Sequence, residues 1–286
     1  MNFDCLDRPT AANSRARACR AGHTASTPRL AYHVVEPRSG KCPRHTVVLS
    51  HALGCDRGMW ESLADELAGE HRVLTYDHRG HGRSDAPPGE YRMAELADDA
   101  ARLLRELDSG PVVWVGLSIG GMVGQELALR HPALIAGLVL ANTTSGYSDA
   151  LRALWRARID LVRVEGIGAI ADAVISRYFH AQFRENYPAL VAGFRARLLA
   201  TDLTGYIGCC AAVSGVNTSA RLTGIDVPTL VIAGALDENT PVTMARTLAD
   251  GIEGARLLIL TRASHLSGIE QPDAFEVAVM DFLSSL

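Results

Sequence analysis

From about position 29 onward, hydrophobic residues follow two alternating rhythms. Thr46-Val-Val-Leu-Ser50, Val73-Leu-Thr-Tyr76, Pro111-Val-Val-Trp-Val115 and Leu138-Val-Leu-Ala141 are short, nearly continuous apolar runs. Runs of this kind are buried on both faces of a parallel sheet. Between them, Met59 to Leu67, Met93 to Leu107 and Gly120 to Arg130 carry apolar residues at helical spacing. The third of these helices is ended by His131-Pro132, because the residue before a proline is driven out of the helical region. Arg29 to Val35 reads as a further strand that stops near Pro37. The β-α-β series predicts an α/β fold with a mostly parallel sheet and helices on both faces.

The alternation breaks after Asn142. From Ser145 to about Ser219 the pattern is helical throughout, with helices expected at Asp149–Val164, Ile167–Phe179, Pro188–Leu199 and Thr204–Val213. The strand rhythm returns at Pro228–Ala233. A helix near Val242–Asp250, a strand at Ala255–Leu260 and a last helix at Pro272–Leu283 follow. The expected organisation is a sheet core over 29–145 and 220–286, interrupted by a helical cap over 146–219. Residues 1–28 differ in character, with Arg15, Arg17 and Arg20 set among Ala, Ser and Thr. They lack the apolar run of a secretory signal, and Asp4 and Asp7 are out of place in a transit peptide. They read as a disordered extension.

Bulk composition narrows the field of functions. The 286 residues are 48% hydrophobic and 21% charged, as in an ordinary globular enzyme. A net charge of −4 supplies no basic field for nucleic acid, and no apolar stretch is long enough for a membrane helix. The six cysteines show no repeated Cys-x-x-Cys spacing, and the adjacent Cys209 and Cys210 would form a strained disulfide. Packed thiols in a reducing, cytoplasmic setting are expected.

The chemistry centres on Gly116-Leu-Ser118-Ile-Gly120, which follows one predicted strand and opens a predicted helix. The motif is common by chance, and its strand-turn-helix placement is what makes it informative. There the serine sits on a tight turn with its hydroxyl raised above the sheet. A hydroxyl needs a base to take its proton. Of the ten histidines only His265 lies beyond the last strand, in a loop that should stand at the same sheet edge. Asp237, after the strand ending at Ala233, is placed to orient that imidazole; Glu238 is the competing acid. A developing oxyanion needs two N–H donors, expected at Ile119 and at Leu53 in the turn His51-Ala-Leu-Gly54, with Ala52 as the alternative to Leu53. His51 is read as shaping that turn. His78 and His81 have a His-x-x-His spacing but no third ligand nearby, so no metal is expected. Asp77 and Arg79 are read as bracing their loop.

These landmarks resemble the α/β-hydrolase superfamily: Asp77-x-Arg79-Gly80-x-Gly82-x-Ser84, Gly116-Leu-Ser-Ile-Gly120-Gly121, Gly234-x-x-Asp237-x-x-Thr240-Pro241 and Ser264-His265. Within it the chain is most similar to the 3-oxoadipate enol-lactonases. The similarity runs from about residue 30 to the end and includes Gly116 to Gln125, Leu138 to Thr143, Leu154-Trp-Arg-Ala-Arg158, Tyr206-x-x-Cys-Cys-Ala211 and His265 to Pro272. The turn Ser50-His-Ala-Leu-Gly54 departs from the Ser-Asn-Ser-Leu-Gly usual there. The resemblance implies an α/β-hydrolase fold and hydrolysis of a small enol-lactone to a 3-oxo diacid in aromatic-acid catabolism, without a cofactor. Because that substrate carries a carboxylate, Trp155 and Arg177 of the cap are its expected binding residues. A general carboxylesterase or another lactonase is the alternative, and a non-catalytic small-molecule binder is a third reading. The expected partner is a small lactone or ester, with no nucleic acid and no membrane, and the chain a monomer or homodimer.

Overall fold

The computed structural model describes residues 19–40 and 42–286. Eight strands of the described residues form one sheet: β1 (Cys19–His23), β2 (Ala31–Val35), β3 (Thr46–Ser50), β4 (Arg72–Tyr76), β5 (Val112–Leu117), β6 (Ile135–Ala141), β7 (Thr229–Gly234) and β8 (Arg256–Leu260). Their spatial order is β1-β2-β4-β3-β5-β6-β7-β8. The pairings β1–β2 and β2–β4 are antiparallel and the others parallel. Val47, Val48, Leu49, Val112 to Val115 and Leu138 to Ala141 are fully buried, which is why they form unbroken apolar runs.

The helices α1 (Glu61–Leu67), α2 (Met93–Glu106) and α3 (Ile119–Arg130) connect the first half of the sheet. Five more lie between β6 and β7: α4 (Asp149–Glu165), α5 (Gly168–Tyr178), α6 (Ala181–Asn186), α7 (Pro188–Leu199) and α8 (Leu203–Ser214). The short α6 has no apolar periodicity of its own to announce it, and its N-terminus is capped by the His180 side chain, a residue outside the usual capping set. The insert is closed at its base by an isolated antiparallel bridge between Gly146 and Asn217. The chain ends with α9 (Val242–Gly251), α10 (Ser267–Glu270) and α11 (Pro272–Ser284). Among the described residues no helix is long and apolar enough to cross a membrane.

The expectation of a structureless stretch over 1–28 is corrected for its second part. Residues 1–18 lie outside the described residues, but Cys19–His23 is an ordered edge strand in register with β2, Cys19 opposite Val35 and His23 opposite Ala31. The turn that follows is held by Leu30 N–H donating to Thr24 Oγ1 (2.8 Å) and by Ala25 and Ser26 N–H donating to the Glu106 carboxylate (2.8 and 3.2 Å). The strand Cys-Arg-Ala-Gly-His is mostly exposed and buries almost no apolar surface. What holds it is backbone pairing, which leaves no hydrophobic trace in a sequence.

The insert meets the core at a contact that only glycine permits. Gly205, near the start of α8, lies against Gly80 in the loop after β4, and a Cβ on Gly205 would stand 2.2 Å from the Gly80 Cα. Backbone touches backbone, so nothing there can rotate away. Gly205→Val is expected to destabilise the protein by about 3 kcal/mol, the upper end of the usual overpacking cost. A thermal melt should show the midpoint lowered by several degrees; an unchanged midpoint would mean that the contact is loose.

Candidate active site

At the end of β5 the chain turns sharply into α3, and Ser118 stands at the turn with φ 58° and ψ −116°. A non-glycine residue rarely holds a positive φ, and here the surroundings impose it. A Cβ on Gly116 would meet the Gly120 carbonyl oxygen at 2.2 Å, and a Cβ on Gly120 would meet the Ser50 carbonyl oxygen at 2.3 Å. Strand, turn and helix are thus pressed together at backbone distance. Ser118 N–H donates to Ala141 O (2.9 Å), and Ser118 O accepts from Thr143 Oγ1 (2.7 Å).

Ser118 Oγ lies 2.9 Å from His265 Nε2, and His265 Nδ1 lies 2.8 Å from Asp237 Oδ2. These three residues come from the ends of β5, β8 and β7, so the sheet brings together side chains that are remote along the chain. All three are buried. The Asp237 carboxylate is enclosed by donors. Oδ2 also accepts from Asn142 Nδ2 (2.9 Å) and Thr240 Oγ1 (2.7 Å), while Oδ1 accepts from Asn239 N–H (2.8 Å) and Thr240 N–H (3.1 Å). Burial alone would push this carboxyl up. The facing His265 imidazole and the hydrogen bonds from His265, Thr240 and Asn142 outweigh it and hold the group below its ordinary value. The competing acid, Glu238, is exposed and has no hydrogen bond to His265.

Asn142 has a role that sequence reading did not assign. It follows β6 in the left-handed region, φ 44°, a conformation asparagine tolerates better than most residues. Besides Asp237, its Nδ2 reaches Ser264 O (3.0 Å), and its Oδ1 accepts from Ser267 Oγ (2.5 Å). One amide therefore joins the loops carrying Asp237 and His265. The signal was available in outline: an asparagine at the end of a central strand, on the sheet edge where the other loops converge.

The turn after β3 lies beside Ser118. Ala52 N–H points to Met59 Sδ (3.3 Å), and Gly54 N–H donates to His81 Nε2 (2.9 Å). Leu53 N–H has no acceptor among the described residues. Ile119 is the first residue of α3, where an N–H has no acceptor within the helix. Ala52, the alternative donor, is thus already engaged. The loop after β4 is braced by Asp77, which accepts from Arg57 N–H (2.8 Å) and Arg83 N–H (3.0 Å), and by the ion pair of Arg79 with Asp99.

The helical insert reaches the site through Tyr178, the last residue of α5. Its ring stacks on His265 with centroids 5.4 Å apart, and its hydroxyl donates to Leu53 O (2.5 Å). Leu266 N–H donates to Tyr178 O (3.0 Å). Glu270 ties the same regions from below, accepting His180 N–H (2.7 Å) and the Ser264 N–H. Burial pushes the Glu270 carboxyl up to about 7.

The two cap residues expected to bind substrate are placed differently from one another. Arg177 is exposed, and it meets the site through its backbone carbonyl, which accepts from Ser264 Oγ (3.0 Å) and Asn239 Nδ2 (3.3 Å). Arg177 lines a cavity of about 500 Å³ with Arg184, His180, Glu238, Ser264 and Asp237. Trp155 is half-buried, and the guanidinium of Arg158 lies 4.5 Å from its ring centroid. Arg158 has no carboxylate partner among the described residues. Burial pushes the Tyr147, Tyr178 and Tyr206 phenols up, and the Arg158 charge opposes that at each of them. Arg158, one helical turn beyond Trp155 on the same face of α4, thus stands near all three phenols.

The α/β hydrolase fold family matches residues 45–162, and a second family, described as TAP-like protein, matches residues 203–286. 3-Oxoadipate enol-lactonase 2 of Acinetobacter baylyi is 35% identical over 84% of this chain and 89% of its own. The chain belongs to the α/β-hydrolase family. A RutD protein of Pseudomonas syringae pv. syringae, named for carbamate hydrolysis, is 32% identical over 84% of this chain and 94% of its own. Among solved structures, the enol-lactonase from Burkholderia xenovorans LB400 is 38% identical, with a TM-score of 0.87 over 92% of this chain and 100% of that one. This α/β hydrolase is thus similar to enol-lactonases in sequence and in backbone.

Three buried imidazoles, His51, His78 and His81, sit together behind the β3 turn. Burial, with His51 as a further like charge for the other two, lowers all three, His81 to about 3. As the pH falls below 6.5 the unfolded chain takes up these protons while the folded chain resists them. Stability is full above that pH and declines toward the folded values. Glu270 works the other way, since the folded form binds its proton first, but it is one group against three. Denaturant midpoints measured from pH 7.5 to 4.5 should fall steadily on the acid side of about 6.5, and a flat profile would contradict the burial of neutral histidines.

Proposed function

We propose that this hydrolase opens a small lactone carrying a free carboxylate, with 3-oxoadipate enol-lactone as the best fit. In this reading Ser118 is the nucleophile, His265 the general base and Asp237 the acid that orients it. The observation that carries the reading is the continuous hydrogen-bonded line from Ser118 Oγ through His265 to Asp237. Two backbone N–H groups, those of Leu53 and Ile119, have no acceptor among the described residues. The names of the relatives at 35% and 38% identity point to the same substrate class.

The chemistry follows from the geometry. Ser118 Oγ attacks the lactone carbonyl carbon while His265 Nε2 takes its proton. The carbonyl oxygen becomes an oxyanion, held by the N–H groups of Leu53 and Ile119. His265, now an imidazolium stabilised by Asp237, returns its proton to the ring oxygen as the C–O bond breaks. That leaves an acyl-enzyme whose enol becomes a ketone. Water, deprotonated by His265, then attacks the acyl carbon and releases Ser118. Arg158 over Trp155 is the group that would pair with the substrate's free carboxylate.

The alternative is a general carboxylesterase or another lactonase. It uses the same relay but makes no demand on Arg158. A non-catalytic binder would need neither. The substrate test is to assay the enol-lactone beside p-nitrophenyl acetate. Fast turnover of the lactone alone supports the lactonase; slow, comparable rates on both favour the esterase.

Ser118→Ala is expected to lower kcat at least about 1,000-fold with a thermal midpoint near that of the wild type. It should also abolish fluorophosphonate labelling. Near-normal turnover or undiminished labelling would remove Ser118 from the mechanism. Arg158→Leu should raise KM for the anionic lactone by about 10- to 100-fold, the worth of one hydrogen bond to a charged group, and leave p-nitrophenyl acetate hydrolysis nearly unchanged. Equal losses on both substrates would mean that Arg158 supports the insert rather than the substrate.

A further inference from the structure

The peptide unit between Ala52 and Leu53 carries the N–H that the hydrolase reading assigns to the oxyanion. That peptide is planar and trans, so its C=O and its N–H point in opposite directions. Whatever holds the Ala52 carbonyl therefore aims the Leu53 N–H. His51 Nδ1 lies 2.8 Å from Ala52 O, so it carries the proton and donates it. At its other nitrogen, Nε2 accepts from His78 N–H at 3.0 Å. Both bonds are made only by the neutral imidazole with its proton on Nδ1. The other tautomer would face two N–H groups at one another and leave the carbonyl held only by Cys55 N–H, which donates to it at 3.1 Å.

We propose that His51, as the neutral Nδ1–H tautomer, is a positioning residue that fixes the direction of the Leu53 N–H donor. The inference rests on the reading of Leu53 as an oxyanion donor. His81 acts alongside, for its Nε2 fixes the following amide, Gly54 N–H, at 2.9 Å, and its Nδ1 faces Arg79 O at 3.4 Å and Cys209 Sγ at 3.8 Å. His51 packs edge-on against His78, centroids 4.4 Å apart, and tilts against His81 at 5.3 Å. The charged groups that act on it are Asp77 and Asp56, which favour a proton, and Arg57, which disfavours it. Burial prevails and lowers the ring's affinity for a second proton, in keeping with an Nε2 that accepts from His78 N–H. His78 in turn is occupied by Ser50 Oγ and Tyr76 Oη, each at 3.1 Å. Backbone donors and acceptors thus hold His51 and His81 each in one proton arrangement, and Leu53 N–H has no acceptor among the described residues.

The test separates position from fold. His51→Leu removes both bonds and should lower kcat about 100-fold, the scale of losing one oxyanion donor, with KM changed less than about threefold. His51→Asn, whose amide can both donate and accept, should recover most of that loss. Nitrogen-15 spectra of the wild-type histidines supply a reading that needs no variant to fold: the His51 signals, assigned by their absence in His51→Asn, should show the Nδ1–H tautomer unchanged from pH 8 to 6. An Nε2–H tautomer overturns the proposal. So does a folded His51→Leu with wild-type kcat, while the wild type's own turnover leaves the hydrolase reading standing. A wild type that hydrolyses neither lactone nor ester overturns both.

Discussion

The site depends on one constrained turn. Ser118 is held at positive φ because β5, α3 and the end of β3 approach one another at backbone distance, with glycine at 116 and 120 as the condition for that approach. The strain is local, and the surrounding sheet opposes any relaxation of it. Its consequence is that a hydroxyl leaves the sheet edge in a fixed direction while the next amide opens a helix. A flexible loop would pay conformational entropy each time it brought those groups together; this turn has paid it on folding.

Around that turn the electrostatics follow one plan. A buried carboxylate is costly unless it is satisfied, and Asp237 is satisfied by five hydrogen bonds. Its charge then favours the orientation of His265 that meets Ser118. Asn142 links the acid's loop to the histidine's loop, so neither can shift without the other. Behind the β3 turn the opposite device operates. There, buried imidazoles stay neutral, and neutrality lets each ring accept at one nitrogen and donate at the other.

The helical insert contributes contacts as well as cover. Tyr178 touches the imidazole with its ring and the β3 turn with its hydroxyl, and Glu270 fastens the strand of chain beside it. Arg158 adds a cation with no carboxylate partner among the described residues, next to Trp155 and a set of buried phenols. A cation without a carboxylate in a half-buried place costs desolvation, and an anionic substrate would repay that cost. The scaffold holds the line of Ser118, His265 and Asp237, and the insert covers it with Tyr178.

The sequence by itself determined the sheet-and-helix order, because burial on both faces leaves apolar runs and burial on one face leaves a helical period. It also determined the serine turn, since the two glycines, the serine and the strand-to-helix change are all local. Asp237 and His265 were legible from their places after late strands, because strand ends converge on one edge. Tertiary structure alone decided the rest. β1 is held by backbone bonds and has no apolar signature. The positions of Arg158 and Arg177 depend on how the helices of the insert pack, and the contact of Tyr178 with His265 is part of that packing. Asn142, Glu270 and the tautomer of His51 act through partners up to 125 residues away, and a hydrogen bond across that separation exists only once the chain has folded.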